Sequence, residues 1–457
     1  MNTQTKKFTV RNTEKGALRP QPVTIELPAS WTSPLIGGTS DDGQTFVAQR
    51  IASQSTGDAS VYIGVFTPCD GQSVQLEDTP VDADSIDGPV ITEVPDSRER
   101  DAICRLNTGY FDLELCRGTG KGEGASKWGI RHFSSLAQNF DLLASGNNAI
   151  GGFYGPFFTP DNGLINPPEH VVADVTAVEI GPIVRRYRLS GRIPDGLLPE
   201  LKGKSFAIDF TFYAGADCFD RVYHVDHFQT EVNGRSVTDR ITVGDEFEGG
   251  QNALAFDRFD SFNHTPYRSG DPYAELLKQE VKRTISSDEP GNERFGYFQK
   301  LLNRDLENAH WDLYWRLFSY WEHALDEDSL NEHLGHVRSL AHVVADKEDR
   351  VWQFPEAPIN VSQVADQTIF AGPAQYSAEF NTGTGQCMIW LTSSPSSAFQ
   401  IVQRPQSGWV NWGTNGENEC PSLPVGSTVR SVYGPYADSW RDEALGHIPG
   451  AVRLEAC

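Results

Sequence analysis

The chain has 457 residues, with 38 basic against 62 acidic side chains for a net charge of −24, and its residues are 38% hydrophobic and 11% aromatic. That length exceeds one ordinary core and implies two or three domains. The acidic balance argues against nucleic acid and an anionic membrane as partners, although screening beyond roughly 8 Å leaves room for a local basic cleft and an acidic sugar.

Seven cysteines are scattered without CxxC spacing, and the odd count leaves at least one unpaired. Neither a full disulfide framework nor a Cys–His zinc site is expected. The opening MNTQTKKFTV has no apolar stretch after its lysines, and no run approaches the roughly 20 apolar residues of a membrane span. The chain therefore reads as soluble and without a signal peptide, its compartment open.

Residues 8–11, 23–27, 45–51, 61–66 and 73–76 read as short strands separated by Pro, Gly, Asp and Ser, so 1–95 is expected to form a small β-barrel or sandwich. Residues 82–88, DADSIDG, resemble part of a calcium loop but lack its later glutamate. They read as a solvated acidic linker, and no cofactor or metal is expected. Pro95, Asp96 and the RERD run mark a boundary.

The second region, 96–270, reads as the main antiparallel β-sandwich. Strands 103–106 and 110–116 flank the turn Asn107-Thr108-Gly109. KWGIRHF (127–133) and GGFYGPFF (151–158) place aromatics beside glycines. Trp128, Arg131, His132 and Tyr154 are candidate sugar contacts, because aromatic faces stack on sugar C–H faces and arginine pairs with carboxylates. The same residues suit a β-domain core, which is the more frequent role of Gly–aromatic motifs in β-domains. Strands 171–180 and 183–193 surround Gly181-Pro182, with Arg186 and Arg188 on one face and Arg185 and Tyr187 on the other.

Residues 206–213 and 221–230 then form two further runs. Alternation gives the second run two polar faces: Arg221, Tyr223 and His227 on one, His224 and Asp226 on the other. If the strand is regular, only one set can line a cleft. Residues 271–350 change to helical spacing, opening on Asp271 and Pro272 as N-cap and first helical residue and ending on a helix over 329–345. Residues 351–457 return to β character, with strands at 368–370, 376–380, 387–391 and 399–403, as a C-terminal region able to complete the sandwich.

RPQPVT (19–24), LNTGYFDLEL (106–115), IGPIVRRYRLSGRI (180–193) and FAIDFTFYAGADCFDRVYHVDHF (206–228) occur in that order. In this the chain resembles the exo-rhamnogalacturonan-lyase/YetA-like group and, more loosely, galactose-mutarotase-like β-sandwiches, over residues 19–250. The resemblance implies a small barrel-like domain, then a large antiparallel sandwich acting on an acidic polysaccharide or oligosaccharide. Residues 271–457 depart from it, since those relatives carry a long helical toroid after the sandwich.

The expected fold is mostly β, an antiparallel sandwich with an N-terminal β-domain and a helical insertion. The expected reaction is β-elimination at a uronic acid, which needs a carboxylate partner, a base and an acid. Tyr223 and His227 are candidate base and acid, and Arg221, Arg186 or Arg188 candidate carboxylate partners. His224 and Asp226 are the competing pair. One alternative is a glycoside hydrolase, whose paired carboxylates stand roughly 5–5.5 Å or 6.5–9.5 Å apart. The other is a non-catalytic carbohydrate-binding protein.

Overall fold

The computed structural model describes residues 4–12, 16, 18–120, 125–137, 140–141, 143, 149–154, 171–192, 203–225, 229–232, 235–238, 240–247, 258–262, 342–345, 350–353, 367–371, 376–381, 384–393, 399–403, 410–413 and 423–457. These residues are mostly β, in antiparallel sheets. The helical insertion expected over 271–350 lies outside them except at its end. There, His342–Ala345 is a strand paired with Arg350–Gln353, where a helix over 329–345 was expected. The adjacent valines 343 and 344, set in register with Trp352 and Val351, favour a pleated surface over a helical stripe.

Seven strands make the N-terminal sheet, in the order Gln21–Pro28, Ala59–Phe66, Thr45–Arg50, Leu35–Ser40, Ser73–Pro80, Thr5–Asn12 and Val452–Ala456. Period-two burial explains it: Val23, Ile25 and Leu27 point inward while Thr24 and Glu26 face solvent. The chain's last strand pairs with its first, Phe8 opposite Ala456 and Asn12 opposite Val452.

Two larger sheets pack face to face. An eleven-stranded front sheet includes Ala102–Asn107, Phe111–Arg117, Trp128–Ser135, Ala149–Tyr154 and Arg240–Phe247. A ten-stranded back sheet runs in order from Asp174–Ile180 through Val184–Arg192, Ser205–Tyr213, Cys218–Val225, Thr428–Gly434, Gln386–Thr392 and Tyr376–Asn381 to Arg258–Phe262 and the 342–353 hairpin. Aromatics join their inner faces. Trp128 stacks on Phe206 at 5.5 Å, and Phe133 meets Phe219 at 5.6 Å and Tyr433 at 6.1 Å. The turn at 107–109 is present, with Gly109 at φ 84° and Asn107 Oδ1 accepting from its N–H.

The short helix Trp440–Gly446, not anticipated from the sequence, buries Trp440, Glu443, Ala444 and Gly446. Trp440 packs edge-on against Tyr376 at 6.0 Å, so the helix covers part of the outer face of the back sheet. No helix among the described residues is long and apolar enough to cross a membrane.

Candidate functional site

Pairing between strands decides which polar residues meet on the outer face of the back sheet. Arg188 stands opposite Asp209, and Ala207 opposite His224, which brings His224 diagonally onto Asp209. Arg188 donates two parallel hydrogen bonds, Nε to Oδ1 at 2.6 Å and Nη2 to Oδ2 at 2.7 Å. His224 Nε2 lies 3.3 Å from the same carboxylate. One row along, Arg186 Nε donates to Thr211 Oγ1 at 3.0 Å. The side chains of Arg188 and His224 are both 45% exposed, that of Asp209 only 11%.

Burial alone would raise the carboxyl of Asp209, but hydrogen bonds from Arg188 and His224 outweigh it and pull the group down to about 2. Asp209 is therefore an ionised acceptor. The imidazole proton then belongs on Nε2, which leaves the Nδ1 lone pair as the basic position. A guanidinium, an oriented imidazole and a second arginine thus share one open stretch of sheet. The arrangement can accept a proton and bind an anion.

Farther along the same face lies a related but closed cluster. Arg430 Nε and Nη2 donate to Asp220 at 2.7 and 2.8 Å, and Tyr213 donates to Asp220 Oδ2 at 2.8 Å. His447 Nε2 is 2.8 Å from Asp217 Oδ1, and Tyr436 donates to Asp217 Oδ2 at 2.6 Å. Burial opposes charge on both members of the His447–Asp217 pair, yet their mutual attraction holds the imidazole above and the carboxyl below the ordinary value. Asp217, Cys218 and His447 bring three metal-ligand types within 4.8 Å. The donor set does not fit a metal: both ring nitrogens of His447 are spent on acceptors, and burial pushes the Cys218 thiol up, against the thiolate a metal needs.

The sequence-derived candidates separate accordingly. Arg221 and Tyr223 face the inside of the sandwich at 0% and 1% exposure, with Arg221 donating to Tyr223 Oη at 3.2 Å and Ser431 Oγ at 3.1 Å. This corrects their assignment as surface-presenting base and carboxylate partner: the second polar face of the strand is an interior network. His227 and Asp226 lie outside the described residues. His224 pairs with Asp209 on the neighbouring strand, where the sequence offered Asp226. Trp128 is wholly buried against Phe206, which removes it from the candidate sugar contacts and places it in the core.

Arg131 and His132 belong to an ion cluster on the front sheet. Arg131 reaches Asp101 at 3.0 Å and Glu99 at 3.2 Å, and His132 reaches Glu99 at 3.0 Å. The RERD run thus folds back as counter-ions. Tyr154 ends a front-sheet strand in register with Thr242. Arg186, Arg188 and His224 are the candidates brought together on the outer face of the back sheet. Asp209, Asp217, Asp220, Arg430 and His447 were missed, and an aspartate inside the apolar run FAIDFTFY was the available signal, since a buried charge needs a partner.

Two of the motifs behind the family resemblance supply Arg186, Arg188, Asp209 and His224, and their turns at Gly181 and Gly215 lie at the seam between the N-terminal sheet and the sandwich. Gln49 Oε1 accepts from the N–H groups of Ile183 and Val184, and a Cβ on Gly181 would overlap its side chain. Gly215, at φ +69°, leaves room for Pro89, whose Cγ lies 2.7 Å from where a Cβ would stand. Beside this seam, Phe46, Val81, Asp87 and Ile183 help line a cavity of about 190 Å³. These turns hold two β units together.

No family model matches the chain, and no curated protein matches it. Among solved structures it is similar to an alpha-mannosidase from Enterococcus faecalis V583, at 8% identity and a TM-score of 0.47, covering 99% of this chain and 46% of that one. A glycosyl hydrolase family 38 protein from Enterococcus faecalis gives 8% identity and a TM-score of 0.45, covering 99% and 47%. The chain spans about half the length of either. Likeness at this level assigns the chain neither an activity nor a substrate.

Proposed function

We propose that this protein is a carbohydrate-active enzyme that works on the open outer face of its back sheet, with an acidic polysaccharide or oligosaccharide as substrate and β-elimination as reaction. The observation that carries the reading is the half-exposed Arg188–Asp209–His224 constellation beside Arg186. Arg186 and the outer edge of Arg188 supply cationic N–H groups to a uronate carboxylate. His224 Nδ1 removes the proton α to that carboxylate. The electron pair forms the ring double bond, the C–O bond to the leaving sugar breaks, and the departing oxygen takes its proton from the His224 imidazolium so formed. Among the aspartates of this face, Asp209 and Asp220 are each pinned by a bidentate arginine. They suit orientation better than the proton exchange a hydrolase requires.

The test is a panel of acidic polysaccharides followed by ultraviolet absorbance of the unsaturated uronate and by reducing ends. Absorbance that rises with reducing ends, and is lost in His224→Ala, is the expected result. Reducing ends without absorbance would replace elimination by hydrolysis. Saturable binding without either product would leave a carbohydrate-binding protein.

A further inference from the structure

The end of the chain ties both β units together around one buried imidazole. Strand Val452–Ala456 completes the N-terminal sheet, while helix Trp440–Gly446 covers the back sheet. Arg19 clamps Glu443 through Nε at 3.1 Å and Nη2 at 2.9 Å, and Gln21 Nε2 donates to the Gly446 carbonyl at 2.7 Å. Between helix and final strand sits His447, with 0% exposure.

The partners of His447 fix its protonation. Nδ1 is 2.8 Å from the carbonyl oxygen of Glu443, and Nε2 is 2.8 Å from the carboxylate of Asp217. A carbonyl only accepts, and an ionised carboxylate only accepts, so both ring nitrogens must donate. A ring with two N–H groups is an imidazolium. Its own carbonyl accepts from Arg430 Nη1 at 3.0 Å.

We propose that helix Trp440–Gly446, His447 and strand Val452–Ala456 form a proton-dependent latch between the sandwich and the N-terminal sheet, closed while His447 is an imidazolium. The surrounding charges suit that role. On the strand side Asp217 is the counter-ion, Cys218 is a buried thiol, and Asp220 is already engaged by Arg430. Tyr436 donates to Asp217, Tyr110 donates to the Tyr433 carbonyl beside it, and Glu443 on the helix itself is engaged by Arg19. Losing the proton leaves two acceptors facing one remaining N–H, in a site without solvent to replace it. Because the attraction of Asp217 outweighs burial and raises the imidazole in the folded state, the latch is intact below about pH 6.5, the unfolded value. It is lost as pH rises through the folded one.

Hydrogen exchange read by mass spectrometry, corrected for the intrinsic pH dependence of amide exchange, tests the latch on the full chain. Peptides over 5–12 and 440–456 should lose protection by about tenfold or more between pH 6 and pH 9 (about 1.4 kcal/mol), while peptides over 128–135 hold theirs. His447→Gln keeps one donor toward Asp217 and should abolish the step. If that variant does not fold, Asp217→Asn should move the step to lower pH. Protection that is flat with pH in the native chain, a step that survives His447→Gln, or a step unmoved by Asp217→Asn would overturn the proposal. So would one equivalent of zinc retained on the purified protein and released together with the same loss of protection.

Discussion

Two arginine–aspartate pairs, each with a histidine–aspartate contact beside it, occupy the same face of the back sheet. In one, Arg188, Asp209 and His224 stand where the sheet is open, and arginine and histidine are each 45% exposed. In the other, Arg430 and Asp220 lie beside Asp217 and His447 under the terminal helix, and His447 has no exposure. Hydrogen-bond geometry is nearly the same, bidentate at 2.6–2.8 Å in both. What differs is the cover. Under the helix each charge needs its partner to remain inside the protein, so the cluster acts as a fastening. In the open, water supports the arginine and the histidine, whose outer edges are left available to a ligand.

The sharpest way to break the comparison is to remove each arginine. Arg430→Met leaves Asp220 charged and enclosed, and should cost about 3–5 kcal/mol. Arg188→Met leaves Asp209 near solvent and His224, and should cost about 0–1 kcal/mol. Urea unfolding at neutral pH measures both, and equal losses would show that the two clusters are energetically alike. Catalysis should divide them the opposite way. His224→Ala is expected to lower turnover of an acidic polysaccharide by about 10²–10⁴-fold, with a stability change within about 0.5 kcal/mol. A variant that unfolds as readily as Arg430→Met would move His224 from the site to the scaffold.

Acid sharpens the contrast further. Asp209 is held near 2 in the folded chain, below the roughly 3.9 of an unfolded aspartate. Its stabilising contribution is therefore present above about pH 4 and lost as pH falls toward 2. With the partners exposed and screened, the loss should be about 1 kcal/mol. Comparing native protein with Asp209→Asn between pH 5 and pH 2 measures it: the native advantage should shrink over that window. An advantage that instead grew with acid would reverse the assigned direction.

Much of the architecture was legible before the structure, because alternation is a local property. Val23, Ile25 and Leu27, or Asn107 and Gly109, announce a strand and a turn without reference to any distant residue. The candidate site was only half legible. Arg186, Arg188 and His224 stood out by type, but their meeting depends on register between three strands, and one sequence does not contain register. For the same reason His224 was matched to Asp226, two positions away, when its partner is Asp209 across the sheet. Arg221 and Tyr223 misled for a different cause: a polar strand face reads the same whether it meets water or a buried network. The final helix escaped because a seven-residue element has too few turns for a periodic stripe, and its anchors, Arg19 and Asp217, lie hundreds of residues away.

Salt offers the mildest and most selective probe of the same contrast. The Debye length falls from about 10 Å at 0.1 M to about 3 Å at 1 M salt. Screening of that kind reaches Arg188 and Asp209 through the water around the arginine, and it does not reach Arg430 and Asp220 beneath the helix. Double-mutant cycles on each pair, Arg188→Met with Asp209→Asn and Arg430→Met with Asp220→Asn, isolate the pair from its surroundings. The open coupling should begin below about 1 kcal/mol and lose more than half its value at high salt. The enclosed coupling should be several times larger and unchanged within about 0.5 kcal/mol. A salt-sensitive Arg430–Asp220 pair would mean that water enters beneath Trp440–Gly446, and the distinction between fastening and site would then rest on exchange between two states of one face.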